Sequence, residues 1–125
     1  MPIIRQKWIK RGDLRSNPDK RYVFGDNVRR IGLGGQAKEM RGEPNAIGVV
    51  TKYYPSMAPR SFFNDTAECM ELVMQDLMVV QNALDQELKV VVPLDGIGAG
   101  LSRLPELAPR LYDYIVDWFA AREGR

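Results

Sequence analysis

Three polar side chains stand where short apolar runs meet glycine-rich loops: Asp26 and Asn27 after Tyr22-Val23-Phe24, and Asp95 after Val90-Val91-Val92-Pro93-Leu94. The first loop runs Gly25-Asp26-Asn27-Val28-Arg29-Arg30-Ile31-Gly32-Leu33-Gly34-Gly35-Gln36-Ala37, and the second runs Asp95-Gly96-Ile97-Gly98-Ala99-Gly100-Leu101. Glycine lets backbone N–H groups approach a ligand closely, and a loop entering a helix offers unpaired N–H donors to an anion. A run of alternating glycines can fold into a nest of such donors. The chemistry indicated is the holding of a phosphate-bearing ligand, with Asp26 and Asn27 placed for sugar hydroxyls or a bound water. Taken alone, the first loop is equally well explained as a tight structural turn. The second is not a dinucleotide fingerprint, because the third glycine of Gly96-x-Gly98-x-Gly100 comes one residue early. Two strand-to-loop junctions in one small chain make a shared anion pocket the stronger reading.

The composition limits what else can act. The chain has no His and a single Cys, Cys69. Ser-His-Asp and Cys-His machinery, His-containing zinc sites and an intramolecular disulfide are therefore excluded, and no metal or cofactor is expected. If a reaction occurs, carboxylates, Lys, Tyr or bound water must move the protons. Asn27 would then orient a water or hydroxyl, with Asp26 or Asp95 as base and loop amides stabilising charge. Glu43, Asn45, Thr51, Lys52 and Asp65 are further candidates. Asn45 and Thr51 serve equally as turn and strand-end residues, Asp65 as a helix cap, and Lys52 either neutralises a phosphate or is an exposed lysine.

These residues need a scaffold, and 125 residues suffice for one domain, 1–125, with one true core. Ile3 to Ile9 reads as a first strand. Arg11-Gly12-Asp13 and Ser16-Asn17-Pro18-Asp19 read as turns, and Tyr22–Phe24, Ala46–Thr51 and Lys89–Pro93 as further strands. Continuously apolar Val90-Val91-Val92 suits a central strand covered on both faces. A helix carries Met70, Val73, Met74, Leu77, Val80 and Leu84 on one stripe, with Asp65 and Glu68 as a capping pair. A C-terminal helix carries Leu107, Ala108, Leu111, Ile115, Trp118 and Phe119, its regular part beginning at Pro105 or Pro109. A short helix runs from Gly34 or Gly35 to Arg41, with Gly42 as its left-handed cap. Alternating strands and helices predict a three-layer α/β/α sandwich, and a short turn after the first strand predicts a mixed central sheet.

The net charge of +2 is unevenly spread: nine Lys or Arg lie in residues 1–30, and six Asp or Glu with no basic residue lie in residues 64–88. Nucleic-acid binding by the basic third ranks last, since few aromatics are interleaved there. The N-terminus lacks an apolar signal region and no run is long enough to span a bilayer, so a cytoplasmic protein without membrane contact is expected.

The residues resemble the macro-domain superfamily, whose members bind ADP-ribose. The likeness rests on Gly12-Asp13-Leu14-Arg15, Phe24-Gly25-Asp26-Asn27 and Gly32-Leu33-Gly34-Gly35 early in the chain. Late in the chain it rests on Val90-Val91-Val92-Pro93 leading into Gly96-Ile97-Gly98-Ala99-Gly100 and a terminal helix. The resemblance implies a macro-like fold in which Asp13 contacts the adenine amino group and Asn27 lies near the distal ribose. Gly34 and Gly35 would line the distal-ribose and diphosphate side, while Gly96, Gly98, Ala99 and Gly100 wrap the diphosphate. Ligand-binding positions implied by the loops and by this likeness together are Asp13, Gly25, Gly34, Gly35, Gln36, Asn45, Thr51, Lys52, Gly96, Ile97, Gly98, Ala99 and Gly100. The chain departs from the superfamily in lacking a full Gly-Gly-Gly-Val run, in having Leu101 where an aromatic often stands, and in the charge of Asp26. A closer likeness is to small uncharacterised bacterial and bacteriophage proteins that share Gly34-Gly35-Gln36-Ala37, Arg41-Gly42-Glu43-Pro44-Asn45-Ala46-Ile47-Gly48 and Thr51-Lys52; it implies no activity. The expected function is binding of ADP-ribose or a related nucleotide, with or without hydrolysis at the distal ribose. The alternative is an interaction protein on a degenerate macro-like scaffold, a bacteriophage factor directed at a host protein.

Overall fold

The computed structural model describes residues 3–123. Four strands form one sheet: β1 (Ile3–Gln6), β2 (Arg21–Asn27), β3 (Ala46–Lys52) and β4 (Val90–Pro93), in the spatial order β1-β4-β2-β3. Between and after them come helices α1 (Arg11–Ser16), α2 (Ala37–Met40), α3 (Ala67–Asp85), α4 (Leu104–Leu107) and α5 (Pro109–Ala120). No described helix is long and apolar enough to cross a membrane.

Every strand pairing is parallel, and not mixed as the sequence suggested. The difference arises at Arg11–Ser16, whose turn residues form a helix. The Lys10 N–H is met by the Asp13 carboxylate at 2.9 Å, and Leu14 is buried beneath. A strand that returns parallel in the same sheet needs a crossover connection, and α1 supplies it between β1 and β2, which lie two places apart. The expected first strand stops at Gln6 because β4, its neighbour in the sheet, ends at Pro93 opposite Gln6. Ile9 is nevertheless fully buried, and the Gln36 side-chain amide takes the place of a strand: its Oε1 accepts from the Ile9 N–H and its Nε2 donates to the Ile9 carbonyl, each at 2.9 Å.

Alternation along the strands feeds two separate cores. Val23, Val90 and Val92 pack with Val73 and Leu77 of α3, Leu104 of α4, and Leu111, Ile115 and Phe119 of α5. Tyr22, Phe24 and Val91 pack with Leu14 of α1 and with Ala37 and Met40 of α2. The Val90–Val92 run thus lies in a central strand covered on both faces, as its composition indicated. On α3 the buried stripe is Cys69, Val73, Asp76, Leu77, Val80 and Ala83, whereas Met74 faces outward.

The ends of the helices also depart from expectation. Thr66 caps α3, its Oγ1 accepting from the Cys69 N–H at 3.3 Å. Asp65 instead caps α5, accepting from the N–H groups of Arg110 (3.2 Å) and Leu111 (2.9 Å). That help is needed because Ala108 precedes Pro109 and brings no side-chain acceptor of its own. Side-chain caps stabilise by about 1 kcal/mol. Asp65→Ala is therefore expected to lower the unfolding free energy by about 1 kcal/mol in urea titration, and Asp65→Asn to recover most of the loss.

Candidate functional site

The chain leaving β4 turns to the face of α4 and α5, while the chain leaving β2 turns to the face of α1 and α2. In open α/β sheets ligands bind beyond the carboxyl ends of strands whose connections part in this way. Here the strands themselves part: β2 pairs with β4 only through Arg21–Val90 and Tyr22–Val91. Above that rung a cavity of about 500 Å³ opens. It is lined by Lys7, Trp8, Gly25, Gly34, Gly35, Gln36, Pro93, Leu94, Asp95, Gly96, Ile97, Gly98, Gly100, Leu101 and Ser102. A second cavity of about 220 Å³ shares Gly25, Gly34, Leu101 and Ser102 with it and reaches Asp26, Asn27, Gly32, Arg41 and Lys52.

The two glycine loops meet across this cleft. A Cβ on Gly34 would lie 3.1 Å from Leu101 Cδ1, and one on Gly25 would lie 3.9 Å from the Gly98 nitrogen. In the second loop the Gly96 N–H is used by the Pro93 carbonyl, but no backbone hydrogen bond among the described residues employs the N–H groups of residues 97–102. The same is true of residues 31–36 in the first loop. Two runs of uncommitted amides therefore border one cleft.

Gly98 is fixed by packing and not by a ligand. Its φ is +94°, and a Cβ there would collide with Leu104 Cδ1. Gly100 differs, since its φ is not positive and a Cβ there would meet nothing within 4 Å.

Asp26 is the most heavily engaged side chain of the site. Arg41 grips its carboxylate in a two-pronged pair at 2.5 and 3.3 Å, Arg30 approaches at 3.4 Å, and the Asn27 N–H donates at 2.8 Å. Arg30 also donates twice to Asp76 of α3, at 2.8 and 3.0 Å, and once to the Gly48 carbonyl at 3.0 Å. Asp76 in turn accepts from the Val50 N–H of β3 at 2.8 Å. Burial alone would lower the Arg30 pKa, but the Asp76 and Asp26 carboxylates outweigh it and hold the guanidinium above its ordinary value. Arg41 further donates to the carbonyls of Gly32 (2.8 Å) and Ile31 (3.2 Å), so the first loop is tied down by charge-assisted bonds. Gly48 makes room for this arrangement, because a Cβ there would lie 2.5 Å from Asp26 Oδ2.

Asn27 is 6% exposed; its Nδ2 donates to the Ile31 carbonyl at 2.7 Å while its Oδ1 is buried without a partner. Lys52 is 5% exposed, donates to the Ser56 carbonyl at 2.8 Å and sits 4.6 Å from the Phe62 ring centre. None of the ion pairs among the described residues includes it. Burial accordingly depresses its pKa.

Of the residues singled out in the sequence, the larger cavity gathers Gly25, Gly34, Gly35, Gln36, Asp95, Gly96, Ile97, Gly98 and Gly100, and the smaller one adds Asp26, Asn27 and Lys52. Thr51 is buried behind the wall, with Oγ1 contacts to the Asp26 carbonyl and to Ser102. Ala99 and Asp13 line neither cavity. The Asp13 carboxylate is occupied by Gln6 Nε2 and the Lys10 N–H, both at 2.9 Å. Asn45 precedes β3 and lies at the opposite end of the sheet, holding the carbonyls of Leu14 and Asn17. The Gln36 amide is spent on Ile9. Sequence reasoning missed Lys7, Trp8, Arg41 and Ser102. The first two directly follow β1 and Ser102 directly follows the second loop, a signal that was present; nothing marked Arg41 as the partner of Asp26.

The fold and site define a parallel α/β domain with a ligand-sized cleft at the parting of two strands. Residues 4–118 match the model of a family of unknown function (DUF7831), and the chain belongs to that family. No curated protein and no solved structure matches it.

Removing Asp26 would leave the Arg41 guanidinium without a carboxylate, while Arg30 would keep Asp76. Asp26→Ala is expected to cost about 3–5 kcal/mol in urea titration and to open residues 28–36 to limited proteolysis. Lys52 is subject to the opposite rule. Its folded pKa lies below the ordinary 10.5, so its charge opposes folding at neutral pH, and that penalty fades as pH rises toward 10.5. Lys52→Met is expected to be more stable than the parent at neutral pH, with the gap narrowing near about pH 10.

Proposed function

We propose that the cleft binds ADP-ribose or a related nucleotide, on a three-layer α/β/α scaffold of the macro-domain kind. The observation that carries this reading is the pair of uncommitted amide runs, residues 31–36 and 97–102, bordering the two adjoining cavities where β2 and β4 part. Backbone N–H groups converging on a concave site form a seat for phosphate that needs no cationic side chain. Helices packed on both sheet faces support the layered scaffold. Half-exposed Trp8, together with Leu94 and Leu101, supplies apolar surface to the larger cavity, and its volume suits a small-molecule ligand.

The proposal is for binding. Both oxygens of the Asp26 carboxylate are used by Arg30, Arg41 and the Asn27 N–H, so in this reading Asp26 holds the loop that a ligand would touch. Asp95 is exposed on the larger cavity and is the carboxylate left to face ligand hydroxyls or water there.

Isothermal titration with ADP-ribose and AMP tests the reading directly, and the informative variant is Gly100→Val. Gly100 lines the larger cavity and a side chain there meets no protein atom within 4 Å, whereas one at Gly98 would strike Leu104 and disturb the fold. Gly100→Val is expected to leave the melting temperature unchanged and to weaken ADP-ribose binding by more than about tenfold. Absence of heat and of thermal shift with either ligand would remove the proposal.

A further inference from the structure

Most of the exposed large apolar side chains among the described residues lie on the four loops that leave the strands at their carboxyl ends. These loops are residues 7–10 after β1, 28–36 after β2, 53–61 after β3 and 94–103 after β4. Because every pairing is parallel, all four emerge at one end of the sheet. Trp8, Ile31, Leu33, Met57, Leu94 and Leu101 are each about half exposed or more, with Leu33 at 63%. An apolar residue exposed singly needs no explanation, but a contiguous group does. These loops do touch in series. Gln36 bonds to Ile9, a Cβ on Gly32 would lie 3.1 Å from Pro55 Cβ, and one on Gly34 would lie 3.1 Å from Leu101 Cδ1. They form one surface around the mouths of the two cavities.

The charge of this surface is nearly all of one sign. Its four loops hold six Lys or Arg against a single acid, Asp95. Arg30 and Arg103 are paired with carboxylates. Lys7, Lys10, Arg29 and Arg60 are exposed and enter none of the ion pairs among the described residues. The neutral polar groups of Gln36, Ser56 and Ser102 bond within the protein. The side chains therefore offer a partner apolar area and cationic donors, with one carboxylate. A fitting partner brings apolar area and anionic acceptors together. Nucleic acid brings the anions without aliphatic surface, and a folded protein brings donors as often as acceptors. An anionic phospholipid bilayer brings acyl chains beneath a layer of phosphate, carboxylate and ester oxygens.

We propose that this end of the sheet docks on a bilayer containing anionic phospholipid. Trp8, Ile31, Leu33, Leu94 and Leu101 enter the boundary between headgroups and acyl chains, and Lys7, Lys10, Arg29 and Arg60 meet the anionic headgroups. Tryptophan suits that boundary, where one side of the ring is apolar and the other wet. The expected lack of membrane contact rested on the lack of a spanning run or signal region, and a surface contact requires neither. The inference goes beyond the nucleotide reading and does not depend on it, since the loops surround the cavities whatever occupies them.

Sedimentation with vesicles of phosphatidylcholine, with and without phosphatidylserine, tests this at low and high salt. Trp8 is followed by fluorescence in a Trp118→Phe background, where it is the sole tryptophan. Binding is expected with phosphatidylserine at low salt, and to fall about tenfold or more without that lipid or at high salt. On binding, Trp8 emission is expected to move to shorter wavelength and to be quenched by brominated acyl chains. Leu33→Ser with Leu101→Ser, and separately Lys7→Ala with Arg29→Ala, are each expected to weaken binding by about tenfold or more. All four residues are exposed, so both variants are expected to melt within about 3 °C of the parent. No binding to phosphatidylserine vesicles would overturn the inference, as would binding that leaves Trp8 unquenched or that survives the two leucine changes undiminished. Tighter binding to polyglutamate than to the vesicles would overturn it in favour of an acidic protein. Nucleotide binding is measured without vesicles, so its failure is a separate result.

Discussion

The site depends on the burial of one carboxylate between two arginines. Asp26 lies near the end of β2, inside the sheet and not in water, and Arg41 and Arg30 reach it from two different parts of the chain. A buried charge left alone would cost several kcal/mol, so the loop that carries Arg30 must fold back over the sheet edge. That requirement holds Arg30 at a φ of +56°, a conformation that L residues seldom adopt, and its bonds to Asp76 and Gly48 help to hold it there. The first glycine loop is thus shaped from beneath by electrostatics, and its own backbone amides stay uncommitted above.

The second loop is shaped by different means. Gly98 packs its bare Cα against Leu104, and the Leu104 N–H returns to the Gly98 carbonyl at 3.0 Å. One wall of the cleft is therefore held by ion pairs and the other by apolar packing, and the cavity lies between two supports of unlike origin.

Much of this was legible in the residues. Val90-Val91-Val92 declared a covered central strand, and the coincidence of two strand-to-glycine junctions marked both sides of the cleft. What could not be read was long-range pairing. Arg11-Gly12-Asp13 carries turn chemistry, yet it forms a helix because Leu14 finds a core and Asp13 finds the Lys10 N–H. Asp65 looked like the cap of the helix it precedes, and it caps α5 across the fold instead. Asp26 looked free for chemistry because its partners Arg30, Arg41 and, through Arg30, Asp76 are brought together only by the tertiary fold. Local rules describe what a segment can do alone, and in each case a distant group decided which option was taken.

The order of strands in space has a consequence for how the molecule assembles. Ile3 in β1 has its sheet partner in Val90, and among the described residues β1 pairs with no strand except β4. During synthesis β1 must wait, without this partner, until residues 90–93 have been made. The inner strand that joins β1 to the β2–β3 pair follows the other three in the sequence. Sheets closed by such distant partners fold slowly, because chain entropy is lost before the pairing rewards it. Closure of the four-stranded sheet therefore waits for β4, whereas β2 and β3 pair with each other across a much shorter stretch of chain.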